Sequence, residues 1–351
     1  MKAPPTPSSL THGDPAAPST STVLPSRPGS RRLSVLFRSA FGVALIGAGY
    51  IFLSHHGSFD VRLFAAALTS IGPIPLFFAM GTAVGVVALQ ALRWWYVTRP
   101  IRRVRYPDAF SAVLVGNVLN TFLPARAGDV LRVQHLSNRA GVSRAMLMGT
   151  ELLDLWSDKC GWVPAFLLCV LVGHPPRWMY LAFLVMLGAA AAAVFLFLLL
   201  RPWLGRGAAA GWRRNLVAGL TSSQPRRLAV AGLIFGALPW LWETLAIVLF
   251  ARLAGIPLAP PQAFAVLTAF NLVIALPVPG SLGLHEAASS FALVSFGVST
   301  ERAIAFALLY HIGQVLPGVL GGAIALLRGS PLWAPIASRM ETRAYADIAG
   351  P

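Results

Sequence analysis

The sequence predicts an all-α membrane protein that crosses a bilayer about six times and adds two re-entrant helical hairpins. Of the 351 residues, 56% are hydrophobic and only 11% are charged. The mean hydropathy of +0.68 leaves too little polar surface for a soluble domain. We count eight apolar segments, and four of them approach or exceed the roughly 20 residues that span a bilayer: 35–53, 77–92, 178–200 and 228–250.

The net charge of +16 arises from basic residues between the apolar segments. This distribution is typical of cytoplasmic loops and of contact with anionic headgroups, so we expect membrane lipids and no nucleic acid as partners. Cys160 and Cys169 lie nine residues apart in one apolar segment, too far apart on a helix to form a disulfide. No Cys or His spacing matches a metal site, so we expect neither a metal nor another cofactor.

Loop arginines predict the topology, with both termini on the cytoplasmic side of the membrane. Residues 1–32, rich in Pro, Ser and Thr, are expected to form a disordered tail, and 329–351 a second cytoplasmic tail. The transmembrane domain is then 33–328. Residues 201–227 carry six arginines and no acid, which places this loop inside. The predicted outer loops are 54–71, 173–177 and 252–260.

The segment 109–123 has about 15 apolar residues, which is short for a full span. If it crossed, the four arginines Arg126, Arg132, Arg139 and Arg144 would lie outside, against the positive-inside rule. We therefore expect a re-entrant segment that enters from the cytoplasm, turns at Pro124 and returns. A helix break at membrane depth must be buried in protein or line a wet cavity.

A second stretch repeats this pattern. Pro124 and Gly128 have counterparts in Pro279 and Gly283. Each stretch continues into Gly-Val-Ser and then a long apolar helix, at 141–143 and 145–172 or at 297–299 and 303–327. The charge count starts the first copy inside and the second outside, which predicts inverted repeats over about 108–172 and 261–327. Interrupted segments in inverted halves are typical of secondary transporters, with the substrate site between the halves.

Arg126 lies beside the predicted break and is the first candidate for substrate binding. A guanidinium there would hold a phosphate or a carboxylate in a bidentate geometry. The alternatives are that Arg126 extends to the cytoplasmic interface or pairs with Asp129. Arg132 and Arg139 are expected to be interfacial, on an amphipathic returning helix.

Glu151, Asp154 and Asp158 form one acidic stripe on a helix, at positions i, i+3 and i+7. The stripe could relay protons or bind a cationic headgroup, or it could simply neutralise Arg126, Arg132 or Lys159. Glu243 has apolar residues on both sides. It is a candidate proton or counter-charge site, although a protonated and hydrogen-bonded carboxyl would need no role in transport.

Polar residues of the second copy complete the candidate site. His285 and Glu286 follow Gly283 and could face Arg126 across the repeat interface, and His311 with Gln314 adds polar groups to the last long helix. A lone membrane histidine is more often a structural hydrogen-bond donor. Three asparagines fit either polar helix packing or headgroup contact: Asn117, Asn120 and Asn271.

Three stretches carry a resemblance to a known family: "NVLNTFLPARAGDVLR", "ELLDLWSDK" and "LPVPGSLGLHEAASSFALVSFGV". They are similar to the lysylphosphatidylglycerol synthase transmembrane region family, also called flippase-like integral membrane proteins, and the similarity covers about 35–328. The resemblance implies a plasma-membrane protein that moves an amphiphilic lipid, or helps to synthesise and move it. The candidate substrate-binding residues are Arg126, Asp129, Glu151, Asp154, Glu243, His285, Glu286 and His311.

The chain departs from the family pattern at several of these positions. Asp129 stands where Glu is usual, Leu152 where arginine often follows the first acid, and His285 and His311 where arginine is common. Only 23 residues follow Arg328, so we expect no soluble aminoacyl-transfer domain.

The sequence therefore predicts a flippase-type transporter of an anionic or aminoacylated lipid, and not an enzyme. A membrane-embedded transferase acting on a lipid-linked substrate is the alternative, although no phosphate-binding loop or nucleophile arrangement supports it. A further alternative is a non-catalytic partner that recruits a lipid-modifying synthase through 201–227. A separate synthase and a second copy of the chain are the other partners that this interpretation allows.

Overall fold

The computed structural model describes residues 59–101, 104–123, 126–205, 211–274 and 283–328. The predicted first span at 35–53 lies outside the described residues, as do the tails 1–32 and 329–351 and the breaks at Pro124 and Pro279. Within the described ranges every regular element is a helix.

The helices are numbered here in chain order. They are α1 Val61–Ile71, α2 Pro73–Thr98, α3 Tyr106–Phe122, α4 Ala127–Ala140, α5 Arg144–Val172, α6 Arg177–Gly205, α7 Trp212–Thr221, α8 Pro225–Leu253, α9 Pro260–Ile274, α10 Leu284–Ser295 and α11 Thr300–Arg328. A short 3₁₀ turn, Arg99–Ile101, extends α2, and α8 contains a π-helical turn at Ala231–Phe235.

Four of the described helices are long and apolar enough to cross a membrane: Pro73–Ile101, Arg144–Val172, Pro225–Leu253 and Thr300–Arg328. Each has 29 residues, which corresponds to about 43 Å along a helix axis and exceeds the thickness of a hydrocarbon core. The predicted run 178–200 lies within α6, which is also 29 residues long. The prediction of an all-helical membrane protein is therefore confirmed.

Helices α3 and α4 form an antiparallel hairpin. Three side-chain pairs run in opposite directions along the two helices: Asn120 with Asp129, Ser111 with His135, and Asp108 with Arg139. The helices approach most closely at Gly128, where a Cβ would lie 2.3 Å from the carbonyl oxygen of Gly116. The absence of a side chain at Gly128 therefore allows α4 to pack directly on the α3 backbone.

Helices α9, α10 and α11 repeat the order of α3, α4 and α5. The lengths are 15, 12 and 29 residues in one set and 17, 14 and 29 in the other. Gly141 and Gly297 each precede the long helix with a positive φ, 65° and 87°, which the missing Cβ permits. The sequence pattern of Gly-Val-Ser followed by a long helix occurs twice. In the structure, each occurrence comes after two short helices and before a 29-residue helix.

Small residues let the long helices pack closely. On α11, Gly313 faces Ala79 of α2, and Gly322 faces Val118 of α3. On α5, Gly161 contacts the backbone of α8 at Gly236, beside the π-helical turn. Close packing through small residues is the usual basis of helix association where lipid removes the hydrophobic driving force.

Among the described residues, the apolar core consists of two clusters. One contains Trp162 and Phe166 of α5, and the other contains Met146 and Leu147 of the same helix. The acidic stripe at 151–158 lies between these two sets along α5. A polar layer therefore divides the core.

We expect Gly128→Ala to destabilise the protein by about 1–3 kcal/mol, because the added methyl must displace the α3 backbone. Gly81→Ala is the matched control, since a Cβ at Gly81 meets no atom within 4 Å and alanine favours a helix. Thermal melting of purified protein in detergent measures both. Equal melting temperatures for the two variants would contradict the close approach of α4 to α3.

Candidate functional site

A buried ion-pair network forms the centre of the polar layer. Arg93 of α2 donates to both carboxylate oxygens of Asp154, from Nε at 2.8 Å and from Nη2 at 3.2 Å. Its Nη1 donates to Asp158 Oδ1 at 2.6 Å. The side chains of Arg93 and Asp154 are 4% and 0% exposed. The planar guanidinium therefore holds two members of the acidic stripe at once.

Arg132 of α4 completes this network. It forms an ion pair with Glu151, its Nη2 lies 3.6 Å from Asp154 Oδ2, and its guanidinium stacks 4.9 Å from the ring centroid of Trp94. The prediction that Arg132 is interfacial is wrong, since its side chain is only 6% exposed. Because α4 folds back against α3, the face that carries Arg132 points at α5 and not at the headgroups.

Sequence reasoning missed Arg93 and its neighbour Trp94, which is fully buried and donates to Thr150. The sequence signal that could have identified Arg93 is its position, which continues the helical periodicity of the apolar run 77–92. A charge on such a face must find a buried partner, because an unpaired ion there is very unfavourable.

Arg139 and Asp108 lie near the end of the hairpin that is joined to α5. Arg139 donates to Asp108 Oδ1, and Arg105 donates to Oδ2, both at 3.0 Å. Burial by itself would raise the pKa of Asp108, but the two guanidiniums outweigh it and hold the pKa below its ordinary value. The Arg139 side chain remains 31% exposed, as an interfacial position allows.

Arg126 both pairs with Asp129 and stays accessible. Its Nε donates to Asp129 Oδ2 at 2.9 Å, while Asn120 donates to Oδ1 at 2.8 Å. The Arg126 side chain is nevertheless 48% exposed. Its backbone is left-handed, with φ 55°, the only such conformation of a non-glycine residue in the described ranges. The structure thus combines the predicted pair with a guanidinium that can still reach a ligand.

A polar cavity opens beside the network. The cavity has a volume of about 100 Å³ and is partly open to the surroundings. Amides contribute to its wall from Gln90, Asn117 and Asn271. The charged residues of the wall are Arg93, Arg126, Arg132, Asp158, Lys159 and Glu243.

Glu243 differs from the other acids of the cavity. Asp158 is paired with Arg93 and also with Lys159, whose Nζ lies 2.9 Å from Oδ2. Within the described part of the chain, no hydrogen-bond donor or cation reaches Glu243, which lies on α8 one turn after Pro239 and Trp240. The Glu243 carboxyl is therefore the acid in this wall that a ligand could engage.

The second-copy candidates form a separate cluster. His311 Nδ1 lies 2.6 Å from Glu286 Oε1, and the rings of His285 and His311 stack with centroids 4.1 Å apart. Glu286 Oε2 also accepts from the backbone N–H of Gly283. None of these three residues lines the cavity of Arg126. That His285 and Glu286 face Arg126 across the repeat interface therefore stays a prediction.

We expect Arg93→Met to destabilise the protein by about 3–5 kcal/mol, because Asp154 would lose its bidentate partner in a fully buried position. Arg93→Lys should recover only part of this loss, since an ammonium lacks the planar fork. Thermal melting in detergent measures the effect.

Arg139→Met is the matched control and should cost less than about 1 kcal/mol, because Arg105 still neutralises Asp108. An Arg93→Met variant that melts together with this control would refute a central role for Arg93.

The comparisons with known proteins agree with the motifs. The family model described as the lysylphosphatidylglycerol synthase TM region matches residues 39–322, most of the chain and all eight candidate site residues. Compared with curated proteins and with solved structures, the chain shows no match. The long match contains the ion-pair network, the cavity and the histidine cluster. This chain belongs to the lysylphosphatidylglycerol synthase transmembrane region family.

Proposed function

We propose that this protein transports an amphiphilic lipid with an anionic or aminoacylated headgroup between the leaflets of the plasma membrane. The observation that carries the proposal is a charged cavity whose wall includes side chains from three helices of membrane-spanning length, α2, α5 and α8. Family membership supports a role in the membrane that involves lipids. The proposed activity changes the position of the lipid and makes or breaks no covalent bond.

The depth of the cavity supports headgroup transfer. Asp158 lies fourteen residues from the start of α5, about 21 Å, and Glu243 lies ten residues from the end of α8, about 15 Å. Arg93 lies eight residues before Ile101, about 12 Å along the helix. In helices of this length, such positions lie within the hydrocarbon core, where a polar headgroup would otherwise find no polar partner.

The charges of the cavity suit a headgroup that carries both signs. Arg126 uses Nε for Asp129, and its terminal N–H groups remain to bind a phosphate. Lys159 is 43% exposed and can add a second positive charge. Glu243 offers an unpaired carboxyl to an ammonium group. A phosphate at Arg126 and an amine at Glu243 would engage both ends of an aminoacylated lipid headgroup.

In this proposal, the two hairpins form the path along which the headgroup crosses the membrane. Helices α3, α4, α9 and α10 have 17, 14, 15 and 12 residues, or about 18–26 Å, less than a hydrocarbon core of about 30 Å. We place the first hairpin as re-entrant from the cytoplasm and the second as re-entrant from outside, with both termini cytoplasmic. Inverted repeats of this kind permit alternating access to a central site.

Transport is tested with purified protein in liposomes that contain fluorescent phosphatidylglycerol, in which an added quencher reports the outer leaflet. The wild-type protein should accelerate exchange between leaflets, and Arg126→Gly should slow it at least tenfold. Glycine suits the left-handed backbone at this position, so the variant should keep its melting temperature.

Arg62→Gly, on an exposed position of α1, is the control and should transport normally. If Arg126→Gly transports as fast as this control, Arg126 does not bind the headgroup. Formation of a new lipid product without exchange between leaflets would instead favour a membrane transferase. A protein that shows neither activity until a synthase is added would favour a non-catalytic partner.

Headgroup preference tests the role of Glu243. We expect Glu243→Gln to reduce transport of an aminoacylated phosphatidylglycerol about tenfold and to leave unmodified phosphatidylglycerol nearly unchanged, because only the former presents an ammonium to the carboxylate. Competition between the two lipids in the same liposomes measures the preference. An equal loss for both lipids would show that Glu243 does not select for an amine.

A further inference from the structure

His285, Glu286 and His311 bring three potential metal-ligating side chains together in the second half of the protein. One ligand atom from each lies within 4.8 Å of those from the other two. His285 and Glu286 lie in the first turn of α10, and His311 lies eleven residues into α11. A sequence search for metal-site spacing cannot detect this cluster, because His311 is 25 residues away from Glu286.

The two imidazoles are held in place by their neighbours. The ring of His285 lies between Phe270 and His311, at centroid distances of 4.2 and 4.1 Å. His285 is only 4% exposed, and its Nδ1 has no hydrogen-bond partner among the described residues. A buried nitrogen without a partner requires an explanation, because nearly all buried polar atoms in proteins are hydrogen-bonded or bind an ion.

The carboxylate of Glu286 is fixed as well. Its Oε2 accepts from the backbone N–H of Gly283 at 2.8 Å, and its Oε1 lies 2.6 Å from His311 Nδ1. One oxygen is thus anchored at the N-terminus of α10, while the other is directed at the imidazoles. Fixed ligands lose little conformational entropy when they bind an ion.

We propose that His285, Glu286 and His311 form a binding site for a first-row divalent transition metal ion of the Zn²⁺ type. Two imidazole nitrogens and one carboxylate oxygen are a ligand set that proteins use for zinc, with a fourth position left for water. Neighbouring donors in a tetrahedral zinc site are about 3.3 Å apart, as bonds of about 2.0–2.1 Å require. Because the two imidazole rings are stacked at an interplanar angle of 19°, at least one of them must turn about its side-chain torsions before both nitrogens direct their lone pairs at one ion.

The site would link a short helix to a long one. In the first half of the protein, Arg132 of α4 pairs with Glu151 and Asp154 of α5. In the second half, the corresponding helices α10 and α11 meet at the histidine cluster. A bound ion would hold α10 against α11, as the ion pairs hold α4 against α5. This inference is independent of whether the protein transports lipid.

The test uses the full chain in detergent, with any affinity tag free of histidine, first stripped with a chelator and then titrated with Zn²⁺ by calorimetry. We expect one ion per chain, with a dissociation constant in the micromolar range or tighter, and a melting temperature raised by several degrees. Co²⁺ in place of Zn²⁺ should give the visible absorption of a tetrahedral nitrogen and oxygen site.

Three variants locate the site. His285→Ala, His311→Ala and Glu286→Gln should each weaken Zn²⁺ binding at least tenfold, and the Gln variant keeps an oxygen for the Gly283 N–H. His174→Ala, at an exposed position, is the control and should bind as the wild-type protein does. Absence of stoichiometric Zn²⁺ binding by the wild-type protein would overturn the proposal whether or not the variants fold. Binding that survives in all three variants would overturn it equally.

Discussion

The buried charges of the polar layer must be paired, and this requirement organises the first half of the protein. An ion removed from water between apolar helices is stable only when opposite charges and hydrogen bonds replace its hydration. Arg93 and Arg132 meet this requirement by sharing Asp154 from two sides. Since the three residues come from α2, α4 and α5, their pairing fixes the position of the hairpin against two long helices.

This pairing also determines which charges remain for a ligand. Asp154 and Glu151 both pair with guanidiniums of the network, which is the neutralising arrangement that the sequence offered as one alternative for the acidic stripe. Arg126 and Glu243 lie at the edge of the network and line the cavity, and neither has all of its hydrogen-bonding groups paired within the described part of the protein. The same physical rule thus separates residues that hold the fold from residues that we propose bind lipid.

The two halves solve one packing problem with different chemistry. In each, the second of two short helices packs against the long helix that follows it. The first half uses guanidinium and carboxylate groups for this contact, whereas the second uses imidazoles and the single carboxylate of Glu286. Imidazoles can remain neutral, ligate a metal or accept a proton, so the second contact responds to its surroundings in ways that the first cannot.

The sequence by itself determined the all-helical class and the long helices. Apolar length acts locally, so the predicted runs 77–92 and 228–250 lie inside 29-residue helices, and the Gly-Val-Ser triplets at 141–143 and 297–299 precede the long helices α5 and α11 as predicted. Only the tertiary structure decided which side chains meet. Arg132 is buried against α5, and His285 stacks on His311. The partners of a side chain depend on which helix packs against its own, and contacts between residues far apart in the chain determine that packing.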